Sequence, residues 1–157
     1  MGWKALAVGL VLLGLATVGN VAYALTPSSA DAICTEERLK LIEKNLIIAM
    51  ESDAPSLQTS AAVVLRQVMA LTPGFEFSQS VIPLMRILKD DRLDSQARVA
   101  AALALNDLRS SIGDFAILRT AQFTEEQRLK TVCTWLVYER YRESNEAALS
   151  AHSIAGN

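Results

Sequence analysis

The amino-acid sequence predicts an all-α protein built from pairs of helices. After residue 24, only three glycines and four prolines interrupt stretches that are rich in Ala, Leu, Arg and Glu. These stretches place apolar residues at helical spacing, and they lack the sustained alternation and Asn-Gly turns that indicate β-hairpins. With 157 residues and a net charge of −2, the chain has the size of one small domain and lacks the excess positive charge of a nucleic-acid binder.

The N-terminal segment, residues 1–24, has the order of a secretory signal peptide. Lys4 is its one charged residue, the run from Ala5 to Val18 is almost entirely apolar, and Ala22-Tyr23-Ala24 supplies the small residues of a cleavage site. We therefore expect cleavage near Ala24 and export to the periplasm or the medium. The alternative is an uncleaved anchor, since an apolar run of about 20 residues can span a membrane. A membrane is a predicted partner only in that case.

Helix one is predicted over about residues 31–50 and helix two over about residues 55–71. The apolar stripe of helix one consists of Leu39, Ile42, Leu46 and Met50. Asp53 is the predicted N-cap of helix two, with Pro55 in the first turn, and Thr72-Pro73-Gly74 is the predicted stop.

Helices three and four are predicted to form the centre of the domain. Phe75-Glu76-Phe77 is a connector whose aromatic rings we expect under the core, and helix three follows from Ser78 or Ser80 to about residue 89. Asp94 is the predicted cap of helix four, which covers about residues 95–109. Its middle, Val99–Leu105, is apolar on all sides, so we expect other helices on several sides of it.

Helix five is predicted as a short element from Phe115 to about Ala121, opened by Gly113-Asp114. Helix six is predicted to end at about Glu143. From Ser144 the composition shifts to Ala, Ser, Gly and Asn and the apolar stripe stops, so residues 144–157 are predicted to form a flexible tail.

An internal repeat relates helices two, four and six. Segment 57–65 aligns with 97–105, and segment 97–105 aligns in turn with 129–137, which carries the stripe of helix six. The segments Val81-Ile-Pro-Leu-Met-Arg-Ile-Leu-Lys-Asp-Asp91 and Ala97-Arg-Val-Ala-Ala-Ala-Leu-Ala-Leu105 resemble a HEAT repeat of the short bacterial type. The resemblance implies a right-handed stack of about three helical hairpins, an α-solenoid, over residues 25–143. Gln58, where the family usually has Arg, and Cys133, where it has Ala, depart from the pattern. A plain bundle of five or six helices is the alternative.

The two cysteines are predicted to lie in the first and last helices of the mature domain. An oxidising compartment would allow a disulfide between Cys34 and Cys133. It would close a loop of roughly 100 residues, worth about 4–5 kcal/mol in the chain-entropy model. The alternative is two buried thiols that act as small apolar side chains.

No group of residues in the sequence predicts catalysis, a metal or a cofactor. The one histidine, His152, lies in the predicted tail, and two distant cysteines do not complete a zinc site. The acidic turn at residues 90–94 lacks the alternating acids and the glycine of a calcium loop. We interpret it as turn and cap residues, with an ion pair between Asp91 and Arg98. The protein is therefore predicted not to be an enzyme.

A polar surface on the second helix of each hairpin is the predicted functional site. It consists of Gln58, Arg66, Arg98, Asn106, Arg109, Lys130, Tyr138 and Tyr141. In HEAT-type stacks the second helices line the concave side where partners bind, and Arg and Tyr are enriched at binding hot spots. The resemblance thus implies an exported, non-catalytic scaffold that binds a protein partner. A solvated face without a partner is the alternative for these residues.

A second function that the sequence allows is carriage of a small molecule or lipid in a cavity between helices. Large apolar residues near helix ends would line that cavity: Phe75, Phe77, Met85, Phe115 and Phe123. Nucleic acid is not an expected partner, because residues 25–157 carry a net charge of −3.

Overall fold

The computed structural model describes residues 35–155, with side chains described for residues 35–147. This range contains six α-helices, one short 3-10 helix and no strand, which confirms the all-α prediction. The helices are α1 (Glu36–Met50), α2 (Pro55–Leu71), α3 (Val81–Lys89), α4 (Ser95–Leu108), α5 (Ser111–Phe123) and α6 (Gln127–Ala155), and the 3-10 helix is Ser78–Ser80. The predicted signal peptide, its cleavage site and Cys34 lie outside the described residues. Among the helices described, none is both long and apolar enough to span a membrane.

Consecutive helices pack in pairs, and the pairs pack against one another. α1 contacts α2, α3 contacts α4, and α5 contacts α6. Between the pairs, α2 contacts α4 and α4 contacts α6, while α1 contacts α3 and α3 contacts α5. The second helices therefore form one row of neighbours and the first helices form another.

α4 is the central helix, as its sequence predicts. It contacts α2, α3, α5 and α6. Its fully or nearly fully buried residues are Ala97, Arg98, Ala100, Ala101, Ala102, Ala104 and Leu105. The many alanines matter because a small side chain lets neighbouring helices approach closely without leaving voids.

A buried carboxylate joins α1 to the turn before α3. Glu43 is only 2% exposed, and its Oε1 accepts hydrogen bonds from the backbone N–H of Ser80 (3.1 Å) and from the Ser80 hydroxyl (3.2 Å). These bonds satisfy donors at the 3-10 helix that would otherwise be buried without partners. Phe77 is buried beside them and meets Phe75 edge to face, with ring centroids 4.7 Å apart, so the prediction that both rings lie under the core is confirmed.

The helix ends agree with the sequence in some places and differ in others. The Asp94 carboxylate accepts a hydrogen bond from the Ala97 N–H at 2.8 Å, which confirms the predicted cap of α4. The predicted cap of α2 at Asp53 is wrong, because Ala54 occupies the N-cap position and no side chain bonds there. α5 begins four residues before the predicted start, because the Ser110 hydroxyl caps it by accepting from the Gly113 N–H at 3.0 Å.

The sixth helix is longer than predicted. α6 continues to Ala155, about three turns past the predicted end near Glu143. Where the extension begins, Arg142 bonds to Glu139 at 2.5 Å and to Glu146 at 3.1 Å, at spacings of three and four residues. Such pairs at helical spacing stabilise a helix.

Candidate functional site on the second helices

Three of the predicted site residues, Arg98, Asn106 and Arg109, form a polar edge of α4 that lies against α6. Arg98 is 3.7 Å from Glu126, which immediately precedes α6. The backbone and side-chain oxygens of Asn106 accept from Arg140 Nη2 at 2.8 and 3.3 Å. Arg98 and Asn106 therefore connect α4 to α6 and to the residue before it.

Arg109, the residue that ends α4, lies on the same polar edge. Its guanidinium donates to both carboxylate oxygens of Glu143, at 3.0 and 3.4 Å, and holds the pKa of Glu143 below its usual range. Arg109 itself has a left-handed backbone, with φ of 50°, because it ends α4 and turns the chain toward α5. Its side chain remains largely exposed.

Arg98 is the most deeply buried cation of the described residues, with 7% exposure. Its Nε donates to the Leu88 carbonyl at 3.0 Å, at the end of α3. Its Nη2 lies 2.8 Å from Asp91, so the predicted Asp91–Arg98 ion pair is confirmed. A guanidinium with these internal partners fixes the turn between α3 and α4 and offers little surface to another molecule.

The remaining predicted residues have different surroundings. Arg66 on α2 donates to Asp107 on α4 at 2.5 Å. Gln58 is half-buried and donates to the Ser52 carbonyl at 2.6 Å, while its own Oε1 is buried without a partner among the described residues. On α6, by contrast, the side chains are exposed at Lys130, Tyr138 and Tyr141.

A line of apolar side chains crosses the outer face of the second helices. Leu103 lies three residues before Asn106, which faces α6, and four before Asp107, which faces α2. Leu103 therefore lies on the outward face of α4, between these two contacts. The repeat alignment places Val63 on α2 and Trp135 on α6 at the equivalent positions. Val63 is 42% exposed and Trp135 is 55% exposed.

We call Val63, Leu103 and Trp135 the apolar line. The prediction from sequence missed it because it followed charged and tyrosine residues along each helix. The signal was present in the same alignment, since a large apolar residue recurs at this position in all three second helices. Trp135 is the member best suited to anchor a partner, because tryptophan is strongly enriched at binding hot spots.

Cys133 is buried in α6 as a free thiol among the described residues. Burial raises the pKa of Cys133 to about 11, against the opposing influence of nearby Arg98. The thiol is therefore protonated at neutral pH and is a poor nucleophile. Its pairing with Cys34 stays a prediction, because Cys34 lies outside the described residues.

An apolar groove of about 330 Å³ runs between α5 and α6. Its apolar walls are formed by Phe115, Ile117, Leu118, Leu136 and Val137, and its polar end by Asn106, Asp114 and Arg140. Of the five aromatic and Met side chains that the sequence suggested for a cavity, only Phe115 lines this groove. Phe77 is in the core instead, and Phe123 is exposed beneath the Arg119 guanidinium, 4.1 Å from the ring centroid.

Within the described part of the chain, no three His, Cys, Asp or Glu side chains meet as a metal site. Comparison of the chain with protein-family models, with curated proteins and with solved structures found no match. The function is therefore inferred from the residues and their surroundings.

Proposed function

We propose that this protein is an exported, non-catalytic scaffold that binds a protein partner across its second helices. The observation that carries the proposal is the apolar line, because it places solvent-exposed apolar side chains on α2 and α6 and a half-buried one on α4 between them. The partner surface is then centred on these residues, with Tyr138 beside them. The predicted residues Arg66, Arg98, Asn106 and Arg109 act indirectly, by holding the helices in place.

The proposed architecture is a HEAT-like stack of three hairpins. Two features support it: the separate rows of first and second helices, and the repeat alignment that relates α2, α4 and α6. In such a stack each hairpin covers the apolar face of the next, and the second helices present one continuous surface. That surface is what a partner would contact.

The proposed mechanism is docking on a surface that needs no reorganisation. Arg66–Asp107 ties α2 to α4, and Arg140–Asn106 ties α4 to α6. These contacts hold the members of the apolar line at fixed spacing, so little side-chain or helix ordering is needed when the partner binds. Burial of Trp135 in a pocket of the partner would supply much of the affinity.

Two neighbouring valines of α2 provide a matched test. Val63 and Val64 have nearly the same exposure, 42% and 41%, but they point about 100° apart on the helix. A photo-reactive residue at position 63 or 135 should crosslink the same protein in cells, and one at position 64 should not. Val63→Glu should then abolish capture of that protein, while Val64→Glu should preserve it. Equal crosslinking from positions 63 and 64 would contradict the proposed surface.

Export is tested separately, since residues 1–34 lie outside the described residues. We expect the mature protein to begin at Leu25 and to fractionate with periplasmic or secreted proteins. N-terminal sequencing of the protein purified from cells determines the start. A chain that retains residues 1–24 and sediments with membranes would favour the uncleaved anchor instead.

The groove between α5 and α6 favours a second candidate function, carriage of a small apolar molecule. Ligand sites are concave and mostly apolar with a few polar groups, and their volumes begin at about 300 Å³. The groove has these properties, with Phe115 and Leu118 on one wall and Arg140 at its end. Binding of naphthalene to the purified protein, followed by NMR, tests this candidate directly. A protein that binds neither naphthalene nor its hydroxyl derivative 1-naphthol would leave the scaffold as the sole proposal.

A further inference from the structure

The groove between α5 and α6 limits the size of what it can hold. A cavity of about 150 Å³ that is lined by Leu, Ile and Phe binds benzene. The groove has about twice that volume, and its walls are of the same chemical type. Its occupant would therefore have the bulk of a bicyclic aromatic molecule or of a medium-length acyl chain.

Arg140 brings unused hydrogen-bond donors to the polar end of the groove. Its Nη2 is taken by Asn106 and by Asp114, at 2.8 and 3.2 Å. Its Nη1 lies 3.8 Å from Glu143, beyond hydrogen-bond distance, and its Nε is buried without an acceptor among the described residues. A guanidinium has five N–H donors, and the two on Nη1 remain for an acceptor on a ligand.

The charges around Arg140 select against an anionic head group. Arg140 and Arg109 face the carboxylates of Asp114 and Glu143, so the cationic and anionic groups are equal in number. Asp114 lines the groove, so the carboxylate of a bound ligand would lie close to it and be repelled. A hydroxyl or carbonyl oxygen could accept from Arg140 without that repulsion.

We propose that the groove binds an uncharged amphiphile, with an aryl or acyl body along Phe115 and Leu118 and a hydroxyl or carbonyl head at Arg140. The inference rests on the carrier function proposed above and adds the chemical class of its ligand. Arg140 is then the specificity-determining residue. The apolar walls supply affinity for any apolar body, and Arg140 distinguishes one head group from another.

Three probes of similar size test both the carrier function and the preferred head group: naphthalene, 1-naphthol and 1-naphthoate. We expect the purified protein at pH 7 to bind 1-naphthol about three to ten times more tightly than naphthalene, as one hydrogen bond would give. It should bind 1-naphthoate the least. Saturation-transfer NMR with competition between the probes measures the three affinities.

Three variants connect the binding to the groove and to Arg140. Leu118→Glu places a charge in the apolar wall at a position that is already 37% exposed. It should weaken the binding of all three probes at least tenfold. Leu71→Glu, at a residue 80% exposed on α2, is the matched control and should leave the three affinities unchanged. Arg140→Met keeps the apolar stem but removes every N–H donor, and it should make 1-naphthol and naphthalene bind equally.

The outcomes separate the carrier function from the choice of ligand. If no probe binds, or if Leu118→Glu binds as the wild type does, both the carrier function and this inference are overturned. If naphthalene binds in the groove but 1-naphthol is not preferred, or 1-naphthoate is the tightest, only the head-group inference is overturned. Should Arg140→Met fail to fold, the ranking of the probes on the wild type decides the question.

Discussion

Replacement of Arg98 by methionine should lower the free energy of unfolding by more than the loss of one polar side chain usually does. Methionine retains the apolar stem, so packing changes little. The Leu88 carbonyl loses its donor from Arg98 Nε, at a cost of about 1–3 kcal/mol for a buried group. Asp91 is 86% exposed, so loss of that ion pair adds at most a few tenths of a kcal/mol. With the partly buried Glu126 also left unpaired, we expect a total of about 2–3 kcal/mol.

Thermal and urea unfolding followed by circular dichroism measure the effect. A loss of about 2–3 kcal/mol corresponds to a fall in Tm of roughly 10 °C for a domain of this size. The matched control is Arg86→Met, because Arg86 pairs with Glu51 at 2.6 Å but is largely exposed. The control should lose less than about 0.5 kcal/mol. If both variants unfold at the same temperature, the role given to Arg98 in holding the α3–α4 turn is refuted.

Further predictions concern a glycine, an acidic turn and the buried thiol. Gly113→Ala should destabilise by about 1–3 kcal/mol in urea unfolding, because the new Cβ would lie 2.8 Å from the Ser110 hydroxyl that caps α5. Hydrogen bonds from Arg92 hold the pKa of Asp90 down to about 2, so Asp90 stabilises the turn above pH 4 and loses that effect as the pH falls toward 2. Arg92→Ala should return this pKa toward 3.8, as NMR titration would show. Cys133 should resist alkylation at pH 8 in the folded protein and react only on unfolding; rapid reaction would contradict its burial.

The centre of the fold could be predicted from the sequence because its signals are local. Val99–Leu105 is apolar on every side, and a helix of that kind must have neighbours around it. Asp94 caps α4 through a bond that spans three residues, so the turn residues alone indicate it. The same holds for the stop of α2 before Pro73-Gly74.

Which polar side chains face solvent and which face another helix could not be predicted in the same way. Arg98, Asn106 and Arg109 share one edge of α4, and helical spacing alone cannot distinguish an edge that faces solvent from one that faces α6. Their partners, Glu126 and Arg140 among them, are far away in sequence. Glu43 is a similar case, since a glutamate on an amphipathic helix predicts a solvated side chain, and only the nearby Ser80 donors make its burial favourable.

The end of α6 was missed for a different reason. The apolar stripe of helix six stops near Glu143, and an apolar stripe reports burial more directly than helicity. Past that point the helix is supported by the Arg142–Glu146 ion pair and by alanines of high helix propensity. A prediction based on burial alone therefore ends a helix where its neighbours end.

Under the proposed function, the polar edges serve stability and the apolar line serves partner binding on the same three helices. Contacts such as Arg66–Asp107 and Arg140–Asn106 lie between helices and set their spacing. Val63 and Trp135 lie outside those contacts and are exposed in the isolated chain. Substitutions at the edges should therefore lower stability and partner binding together, because they move the helices that carry the line. Substitutions at Val63 and Trp135 should lower binding while leaving stability nearly unchanged, since exposed side chains contribute little to folding.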